Sequence, residues 1–322
     1  MAGDMKMNHI ITYFYLEKED NNNKYGVSTS NLTKKNEYYF RCIVNFFYSS
    51  LKYNKNSKHY FICNEDDNLD FIKNFNFKQF LYNNNIKIVK LNSKYVKPNV
   101  RWSGSMFLFD AIEYFKGKEN PLDNYIFCDN DMLINYDLEK AKELTKEFDY
   151  MAYDVMHECK KDANTGKWIS DFNGMNPKYM EDSKFIHLGG EFFVLKGNYI
   201  SKFIEIFIEN KDQPGLCTEE HYLSYLNAYC LQGSKGILLN DDNSLIRRIW
   251  TTFKYSNRRE TDADIKILHL PSEKEYGLNW ISHYLIKSNT YNKEVALEYN
   301  GIPKRKLLLY IKLVICKIIK KI

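Results

Sequence analysis

Two aspartates one residue apart, Asp129 and Asp131, follow the apolar run Tyr125–Cys128, which is typical of a buried strand. The carboxyl edge of an open α/β sheet is where such folds bind ligands. Two close carboxylates repel each other unless a cation lies between them, and oxygen ligands suit Mg²⁺ or Mn²⁺. Asp129-Asn130-Asp131 therefore predicts a divalent metal site that holds a diphosphate. The alternative is an acidic turn, which Asp and Asn favour by themselves.

A second acidic pair, Glu219 and Glu220, comes directly after Thr218. Thr218 is a plausible N-cap, and acidic residues suit the first turn of a helix because of the helix dipole. That structural role is one interpretation of both glutamates. The functional interpretation is that one carboxylate points into a cleft beside the reacting atom of a substrate.

His269 and Lys274 follow the last predicted strand, residues 265–268. On the same sheet edge as the aspartates, His269 could be a third metal ligand, and Lys274 could neutralise a departing phosphate; a structural histidine is the alternative. The paired glycines Gly189 and Gly190 precede another predicted strand. They indicate a close approach of the backbone to a sugar or to another strand.

Three more residues are candidates for contact with a nucleotide. Tyr13 lies near the end of the first predicted strand, where it could stack on a base or pack in the core. Arg101 lies at the start of a helical segment that leads to the Asp129 strand, so it could reach a phosphate or remain on the surface. Asp110 lies inside that helix and could face the nucleotide.

The elements that must position these residues alternate between strands and helices. Period-two or continuous apolar runs predict strands at 9–16, 59–63, 86–91, 125–128, 150–155, 237–239 and 265–268. Helical spacing predicts helices at 33–50, 69–81, 107–115, 137–148 and 198–209. This alternation predicts an α/β fold with a mostly parallel sheet and helical crossovers.

Composition narrows the functional class. The chain has 322 residues, 16% aromatic residues and a formal charge of +5, with basic and acidic residues interleaved, so nucleic acid is not an expected partner. Seven scattered cysteines without a C-x-x-C pair favour a reducing compartment. We see no N-terminal signal and no apolar run near the roughly 20 residues that span a bilayer, and therefore expect a cytoplasmic protein.

The last segment, Lys304–Ile322, combines apolar residues at helical spacing with several lysines. A basic helix with an apolar face suits the surface of an anionic membrane, so peripheral attachment to the inner face of the cell membrane is one expectation. A helix docked on the domain is the alternative. We accordingly expect a catalytic domain at 1–285, with a nucleotide-binding half at about 8–135 and an acceptor half at about 136–285, and a helical tail at 286–322.

Three groups of residues give the sequence a family resemblance. They are Arg101-Trp102 with Ser105-Met106; Asp129-Asn130-Asp131; and Leu188-Gly189-Gly190 with Phe192-Phe193, followed by Glu219-Glu220-His221-Tyr222-Leu223. The chain resembles a glycosyltransferase of the GT-A type, and most closely family 6, which includes the ABO blood-group transferases and bacterial relatives. The resemblance implies a Rossmann-like, mixed but mostly parallel sheet flanked by helices.

The resemblance also implies roles for these residues. Asp129 and Asp131 would hold Mn²⁺ and the donor diphosphate. Glu220 would lie next to the anomeric carbon as nucleophile or cation stabiliser, and Glu219 would contact the donor or acceptor sugar. The remaining implied contacts are Gly189 and Gly190 in the sugar pocket and Lys274 near the phosphates.

The departures from the family 6 pattern leave the donor sugar open. Glu191 has no counterpart in the family 6 motif, and Phe107-Leu108 replace expected arginines. Glycosyltransferase family 8 is the rival resemblance, because it also has an Asp-x-Asp motif and a late histidine-to-lysine segment.

The function expected from the resemblance is retaining transfer of galactose or GalNAc from a UDP-sugar to a cell-surface glycan, with Mn²⁺ or Mg²⁺ as cofactor. Three alternatives remain. They are a family 8-like glucosyl- or galactosyltransferase, a non-catalytic nucleotide- or sugar-binding domain, and a nucleotidyltransferase. The last is disfavoured because the loop after the first strand lacks a glycine-rich phosphate motif.

Overall fold

The computed structural model describes residues 6–17, 27–29, 31–97, 100, 102–158, 160–161, 168–169, 179, 182, 184–243, 245–251 and 256–319. Arg101, one of the candidate donor-binding residues, lies outside the described residues. The central sheet has seven strands: β1 (Asn8–Phe14), β2 (Lys58–Cys63), β3 (Lys87–Lys90), β4 (Asn124–Cys128), β6 (Tyr150–Asp154), β9 (Leu188–Lys196) and β10 (Gly236–Leu239).

The strand order is β10-β6-β9-β4-β1-β2-β3. β9 is antiparallel to both β4 and β6, and the other neighbouring pairs are parallel. A smaller sheet, in the order β11-β12-β5, contains β5 (Met132–Ile134), β11 (Ile246–Arg248) and β12 (Ile267–His269). β7 (Lys160–Lys161) and β8 (Trp168–Ile169) form a separate pair. The expected α/β fold with a mostly parallel sheet is confirmed, and it is consistent with a GT-A, Rossmann-like fold.

Helices cover both faces of the central sheet. They are α1 (Leu32–Tyr53), α2 (Phe77–Asn83), α3 (Phe107–Glu113), α4 (Lys142–Thr145), α5 (Gly197–Asn210), α6 (Glu219–Tyr229), α7 (Gly277–Ser288), α8 (Lys293–Asn300) and α9 (Leu307–Ile319). Buried side chains of α3, α5 and α6 form one core with the sheet, and those of α1 and α2 form the core on its other face.

α7 and α8 form a third core with residues around the smaller sheet. α7 runs through residue 285, where the sequence suggested a boundary, and Leu285 is fully buried. No helix in the described part of the chain is long and apolar enough to cross a membrane.

Two expected helices are shorter than the sequence predicts. The helix predicted at 69–81 forms only from Phe77, because the Asn76 side chain caps it and Asn74 is left-handed at φ 60°. The helix predicted at 137–148 is a 3₁₀ turn at Leu138–Lys140 followed by α4, because Ala141 is extended at ψ 112°. Both predictions are wrong at residues where local backbone geometry overrides the apolar period.

Candidate active site

The Asp-x-Asp motif joins the two sheets. Asp129 directly follows β4, and its amide donates to the Glu191 carbonyl on β9 at 2.8 Å. After Asp131 the chain enters β5, whose antiparallel register places Met132 opposite His269. The Leu270 amide then donates to the Asp131 carbonyl at 3.1 Å. Strand pairing therefore brings His269, which is distant in sequence, against the two aspartates.

Asp129, Asp131 and His269 form a candidate metal centre. One ligand atom from each lies within 4.8 Å of the others. His269 Nε2 is 3.1 Å from Asp131 Oδ1 and 3.9 Å from Asp129 Oδ2, while Lys274 Nζ is bonded to Asp131 Oδ2. Two carboxylates and an imidazole can hold a divalent cation, and the imidazole favours Mn²⁺ over Mg²⁺, which takes oxygen ligands. The grouping expected from the sequence is therefore present.

The three candidate ligands have strongly shifted pKa values, which decide whether a proton or a metal ion occupies this centre. Burial and the neighbouring Asp131 raise the pKa of Asp129 to about 6, although 37% of its side chain is exposed and water reaches it. Burial alone would raise the pKa of Asp131, but Lys274 and His269 hold it well below its usual range. Burial opposes the charge on His269, yet Asp131 and Glu191 raise its pKa to about 10. At neutral pH a proton on His269 therefore occupies the side where a metal would bind.

Glu220 lies at the start of α6 and contacts β9 directly, because the Gly190 amide donates to Glu220 Oε1 at 3.4 Å. The helix begins as the sequence predicts, with the Thr218 hydroxyl accepting from the His221 amide at 3.3 Å. Arg248 Nη2 donates to Glu220 Oε1 at 2.8 Å, and His187 Nε2 lies 3.2 Å from Glu220 Oε2. Burial would raise the pKa of Glu220, but the Arg248 guanidinium and the hydrogen bond with His187 lower it. Glu220 is therefore a carboxylate that stays ionised.

Glu219, the residue before Glu220, has a raised pKa, whereas the pKa of Glu220 is lowered. Burial and the adjacent Glu220 raise the pKa of Glu219 to about 8. Its Oε2 is buried and has no hydrogen-bond partner among the residues that the structure describes. A Cβ added to Gly190 would lie 2.1 Å from Glu219 Oε1, so glycine at 190 is what lets this carboxyl reach the cavity. Glu219 can therefore donate a proton or a hydrogen bond at neutral pH.

Gly189 leaves space for the side chain of Glu191 in a similar way. Glu191 is the residue without a counterpart in the family 6 motif. A Cβ at 189 would lie 2.0 Å from Glu191 Oε2 and 2.9 Å from Arg248 Nη2. The pairing of β9 with β6 shifts register beside these residues, and such irregularities re-aim side chains. The paired glycines thus admit two carboxyl groups, those of Glu191 and Glu219.

One cavity brings the acidic groups together. Its volume is about 670 Å³, and its lining includes Asp129, His269 and Lys274 as well as Glu219 and Glu220. Tyr13 and Asn130 also line it, and the Tyr13 hydroxyl donates to the Gly190 carbonyl at 3.3 Å. Asp131, Gly189 and Gly190 lie behind this lining as its support.

The structure does not bring Asp110 to this cavity. Asp110 is buried, and its carboxylate accepts from the Ser93 hydroxyl and the Lys94 amide at 2.8 Å each. It borders a separate, smaller cleft of about 340 Å³. Asp110 therefore holds the segment after β3 in place and does not line the main cavity, so the structure does not bring it together with the other candidate residues.

Sequence reasoning missed Arg248, which joins the two halves of the site. Arg247 and Arg248 are adjacent on the short, buried strand β11. Successive side chains of a strand point to opposite faces. Arg247 therefore forms ion pairs with Asp262 and Asp241, whereas Arg248 forms ion pairs with Glu191 and Glu220. Two arginines between apolar residues were the available signal, because a buried guanidinium needs a carboxylate partner.

Comparisons with known proteins leave the family of this chain unassigned. No protein-family model matches the sequence, and no curated protein matches it. Among solved structures, the crystal structure of an active-site mutant of LgtC, a glycosyltransferase, is similar with a TM-score of 0.45 and 9% sequence identity. The match covers 81% of this chain and 86% of that chain. At that level the likeness identifies neither an activity nor a family.

Proposed function

We propose that this chain is a metal-dependent glycosyltransferase that moves a hexose from a UDP-sugar to a glycan acceptor. The observation that carries the proposal is the shared cavity: a candidate divalent-metal centre and an ionised carboxylate, Glu220, line the same 670 Å³ space. Transfer from a nucleoside diphosphate sugar needs charge neutralisation at the leaving diphosphate and a carboxylate near the cationic sugar. Both requirements are met by groups on this cavity.

Asp129, Asp131 and His269 would hold Mn²⁺, which when bound neutralises charge on a leaving diphosphate. Lys274 lines the same wall and adds a fixed positive charge. Asn130, between the aspartates, has a buried Oδ1 with no hydrogen-bond partner among the described residues, and it would contact the donor. Tyr13 would contact the base, because it lines the cavity beside Gly190.

Glu220 is the group that we assign to the anomeric carbon. Arg248 and His187 keep its carboxylate ionised and fix its position, so a negative charge is ready before the sugar becomes cationic. Such a carboxylate on one face of the sugar supports retention. Glu219 would donate a hydrogen bond to a sugar hydroxyl, because burial keeps it protonated.

One observation favours the rival, family 8-like interpretation. His269 lies within the acidic cluster, and Lys274 follows it on the same wall of the cavity. A late histidine-to-lysine segment is a feature of the family 8 resemblance. The donor would then be UDP-galactose or UDP-glucose, in place of the galactose or GalNAc that family 6 implies.

The acceptor and its location are also proposals. Leu313 and Lys317 of α9 line the cavity, whereas Leu307, Leu308 and Ile311 are exposed. We infer that Lys304–Ile322 contacts an anionic membrane and brings the cavity to a membrane-attached glycan. The described cysteines form no disulfide with one another, which fits the cytoplasmic side of that membrane.

A donor panel tests the proposed function. The full chain is incubated with Mn²⁺ and each of several UDP-sugars, and release of UDP is measured with and without EDTA. Asp129→Asn should lower turnover by at least about tenfold, because it removes a ligand. Asp66→Asn is the matched control, since Asp66 belongs to the acidic group at 65–67, which does not line the cavity.

Two results would contradict the proposal. Turnover at the wild-type rate in EDTA or in Asp129→Asn would show that the reaction does not need a metal at this centre. Mn²⁺-dependent binding of UDP without turnover of any UDP-sugar would indicate a non-catalytic nucleotide-binding domain.

A further inference from the structure

We propose that Glu191 and Arg248 are positioning residues that join the metal ligand His269 to Glu220, so that metal binding and the placement of the Glu220 carboxylate depend on each other. The inference rests on the proposed function, which assigns the metal to His269 and the sugar to Glu220. We use the term relay for the series of side-chain contacts that runs from His269 to Glu191, from Glu191 to Arg248, and from Arg248 to Glu220.

The first contact of the relay fixes the metal ligand. His269 Nδ1 is 3.1 Å from Glu191 Oε1, and both side chains are buried. A hydrogen bond from Nδ1–H to this carboxylate sets the ring orientation and directs Nε2 at Asp131 and Asp129. Carboxylates behind a histidine ligand have this role in metal sites generally.

The second contact joins Glu191 to the other side of the cavity. Arg248 Nε donates to Glu191 Oε1 at 2.7 Å, and Nη2 donates to Glu191 Oε2 at 2.6 Å. The same Nη2 donates to Glu220 Oε1 at 2.8 Å. A bidentate pair has one planar geometry. Any shift of Glu191 therefore changes the contact that holds Glu220.

The remaining nitrogen of Arg248 prevents the guanidinium from turning. Nη1 donates to Glu158 Oε2 at 3.1 Å, and the Trp250 indole donates to the other oxygen of Glu158 at 2.8 Å. Arg248 is thus held by three carboxylates. Rotating it towards one of them would break its bonds to the others.

The space for the relay depends on Gly189. Its Cα faces the Glu191–Arg248 pair so closely that a methyl group there would overlap both partners. This position offers a substitution that disturbs the geometry of the relay and leaves every charge unchanged.

The net charge explains why the relay would respond to a metal. The carboxylates of Asp129, Asp131, Glu158, Glu191 and Glu220 share the permanent charges of Lys274 and Arg248 and, without a metal, the imidazolium of His269. Asp131, Glu191 and Arg248 are buried, so their mutual attractions and repulsions are screened weakly. A divalent cation that replaces the Nε2 proton of His269 still adds one positive charge at that end, and its effect reaches Glu220 through shared partners.

The experiment measures Mn²⁺ affinity of the full chain without donor, from the electron paramagnetic resonance signal of free Mn²⁺. Glu191→Gln should weaken binding about 10- to 100-fold, as loss of an outer carboxylate does elsewhere. Glu220→Gln should weaken binding as well, although Glu220 is not a ligand, because linkage is reciprocal. The double variant should bind like Glu191→Gln alone.

The double variant separates the relay from simple electrostatics. If the two substitutions weakened Mn²⁺ binding independently, their effects would multiply, and the relay would be refuted. Mn²⁺ binding by Glu191→Gln within twofold of the wild type would refute it too. Asp262→Asn is the matched control, since it neutralises the partner of the adjacent Arg247 and should leave Mn²⁺ affinity unchanged.

Gly189→Ala provides a second test in case Glu191→Gln does not fold. It should weaken Mn²⁺ binding without removing a charge, and an unchanged affinity would count against the relay. Turnover distinguishes this inference from the proposed function. If Glu191→Gln and Glu220→Gln weaken Mn²⁺ binding as predicted but no UDP-sugar is turned over, the relay is supported and the glycosyltransferase function is contradicted. If a UDP-sugar is turned over but the two substitutions do not affect Mn²⁺ binding in this way, the function is supported and the relay is contradicted. No Mn²⁺ binding by the wild type refutes both.

Discussion

His269 lies between two carboxylates, and each ring nitrogen faces one of them. Nδ1 meets Glu191 and Nε2 meets Asp131, both at 3.1 Å. In the metal-free protein these carboxylates stabilise the imidazolium and raise the His269 pKa to about 10, against the cost of burial. The Nε2 proton and a divalent cation therefore compete for the same position.

This competition predicts that Mn²⁺ binding releases about one proton between pH 7 and 8, because only neutral imidazole is a ligand. Mn²⁺ affinity should rise about tenfold per pH unit there. Below about pH 6, protonation of Asp129, whose pKa burial and Asp131 raise, should steepen the dependence. Calorimetry in buffers of different ionisation enthalpy counts the protons. A pH-independent affinity in the wild type would show that His269 is not a ligand, and His269→Ala should lose the proton release.

Gly190 gives a second prediction at this scale. In Gly190→Ala the new methyl would overlap the Glu219 carboxyl, and overpacking of this kind costs about 1–3 kcal/mol. We expect turnover of the UDP-sugar to fall at least about tenfold, because Glu219 must leave its place in the cavity. Steady-state kinetics measures the change.

Gly117→Ala is the control for Gly190→Ala. Gly117 has φ +76° and no atom within 4 Å of an added Cβ, so alanine strains the backbone there and touches nothing. It should lower the free energy of unfolding by roughly 1 kcal/mol and leave turnover unchanged. Equal losses of turnover in both variants would indicate a general effect of stability and not a role for Glu219.

The sequence offers clearer signals for the acidic residues of the candidate site than for the residues that contact them. Asp129, Asp131, Glu219 and Glu220 carry local signals, namely a strand end and a helix start. Arg248 and Glu191 contact each other across 57 residues of sequence. No local pattern encodes such a contact, so only the fold reveals it.

At the scale of elements, strands were predicted more accurately than short helices. All residues of strand β4 are buried, so its continuous apolar run is a clear signal of a strand. α2 begins after the capping residue Asn76 and α4 after the extended residue Ala141, and an apolar period that continues across these residues does not indicate such boundaries. Helix α7 was not predicted, and α8 lies inside the segment 286–322 that was predicted only as a helical tail, although the buried residues of both helices form a core of their own.

α9 gives the prediction that belongs to this scale. Leu307, Leu308 and Ile311 are 74%, 78% and 46% exposed, whereas Leu313 on another side of the helix is buried. Replacing the three exposed residues by Gln should abolish sedimentation with vesicles that contain anionic lipid, because apolar contact and lysine attraction add together. Sugar transfer to a soluble acceptor should be as fast in the triple variant as in the wild type.

Two comparisons make the vesicle experiment specific. Vesicles of neutral lipid should bind the wild type more weakly than anionic ones, and added salt should weaken the anionic binding. Equal sedimentation of the wild type and the triple variant would show that α9 does not bind the membrane and would leave only its contact with the cavity.

At the scale of the whole molecule, the candidate site lies where two sheets meet. β4 and β9 of the central sheet supply Asp129 and Glu191, and β12 and β11 of the smaller sheet supply His269 and Arg248. α6 completes the cavity with Glu219 and Glu220. A cation that binds Asp129, Asp131 and His269 therefore ties the sheets to each other and stabilises the folded chain as a whole.

This arrangement predicts that Mn²⁺ raises the thermal stability of the protein. A ligand that binds only the folded state adds about 2.7 kcal/mol at a concentration of 100 times its Kd. For a chain of this size that corresponds to a rise in Tm of a few degrees, measurable by circular dichroism. Asp129→Asn should lose most of the rise, because it removes a ligand whose side chain is partly exposed and dispensable for packing. Asp66→Asn should keep it. A rise of equal size in both variants would place the stabilising ion outside the Asp-x-Asp centre, and no rise in the wild type at saturating Mn²⁺ would contradict a metal site that holds the two sheets together.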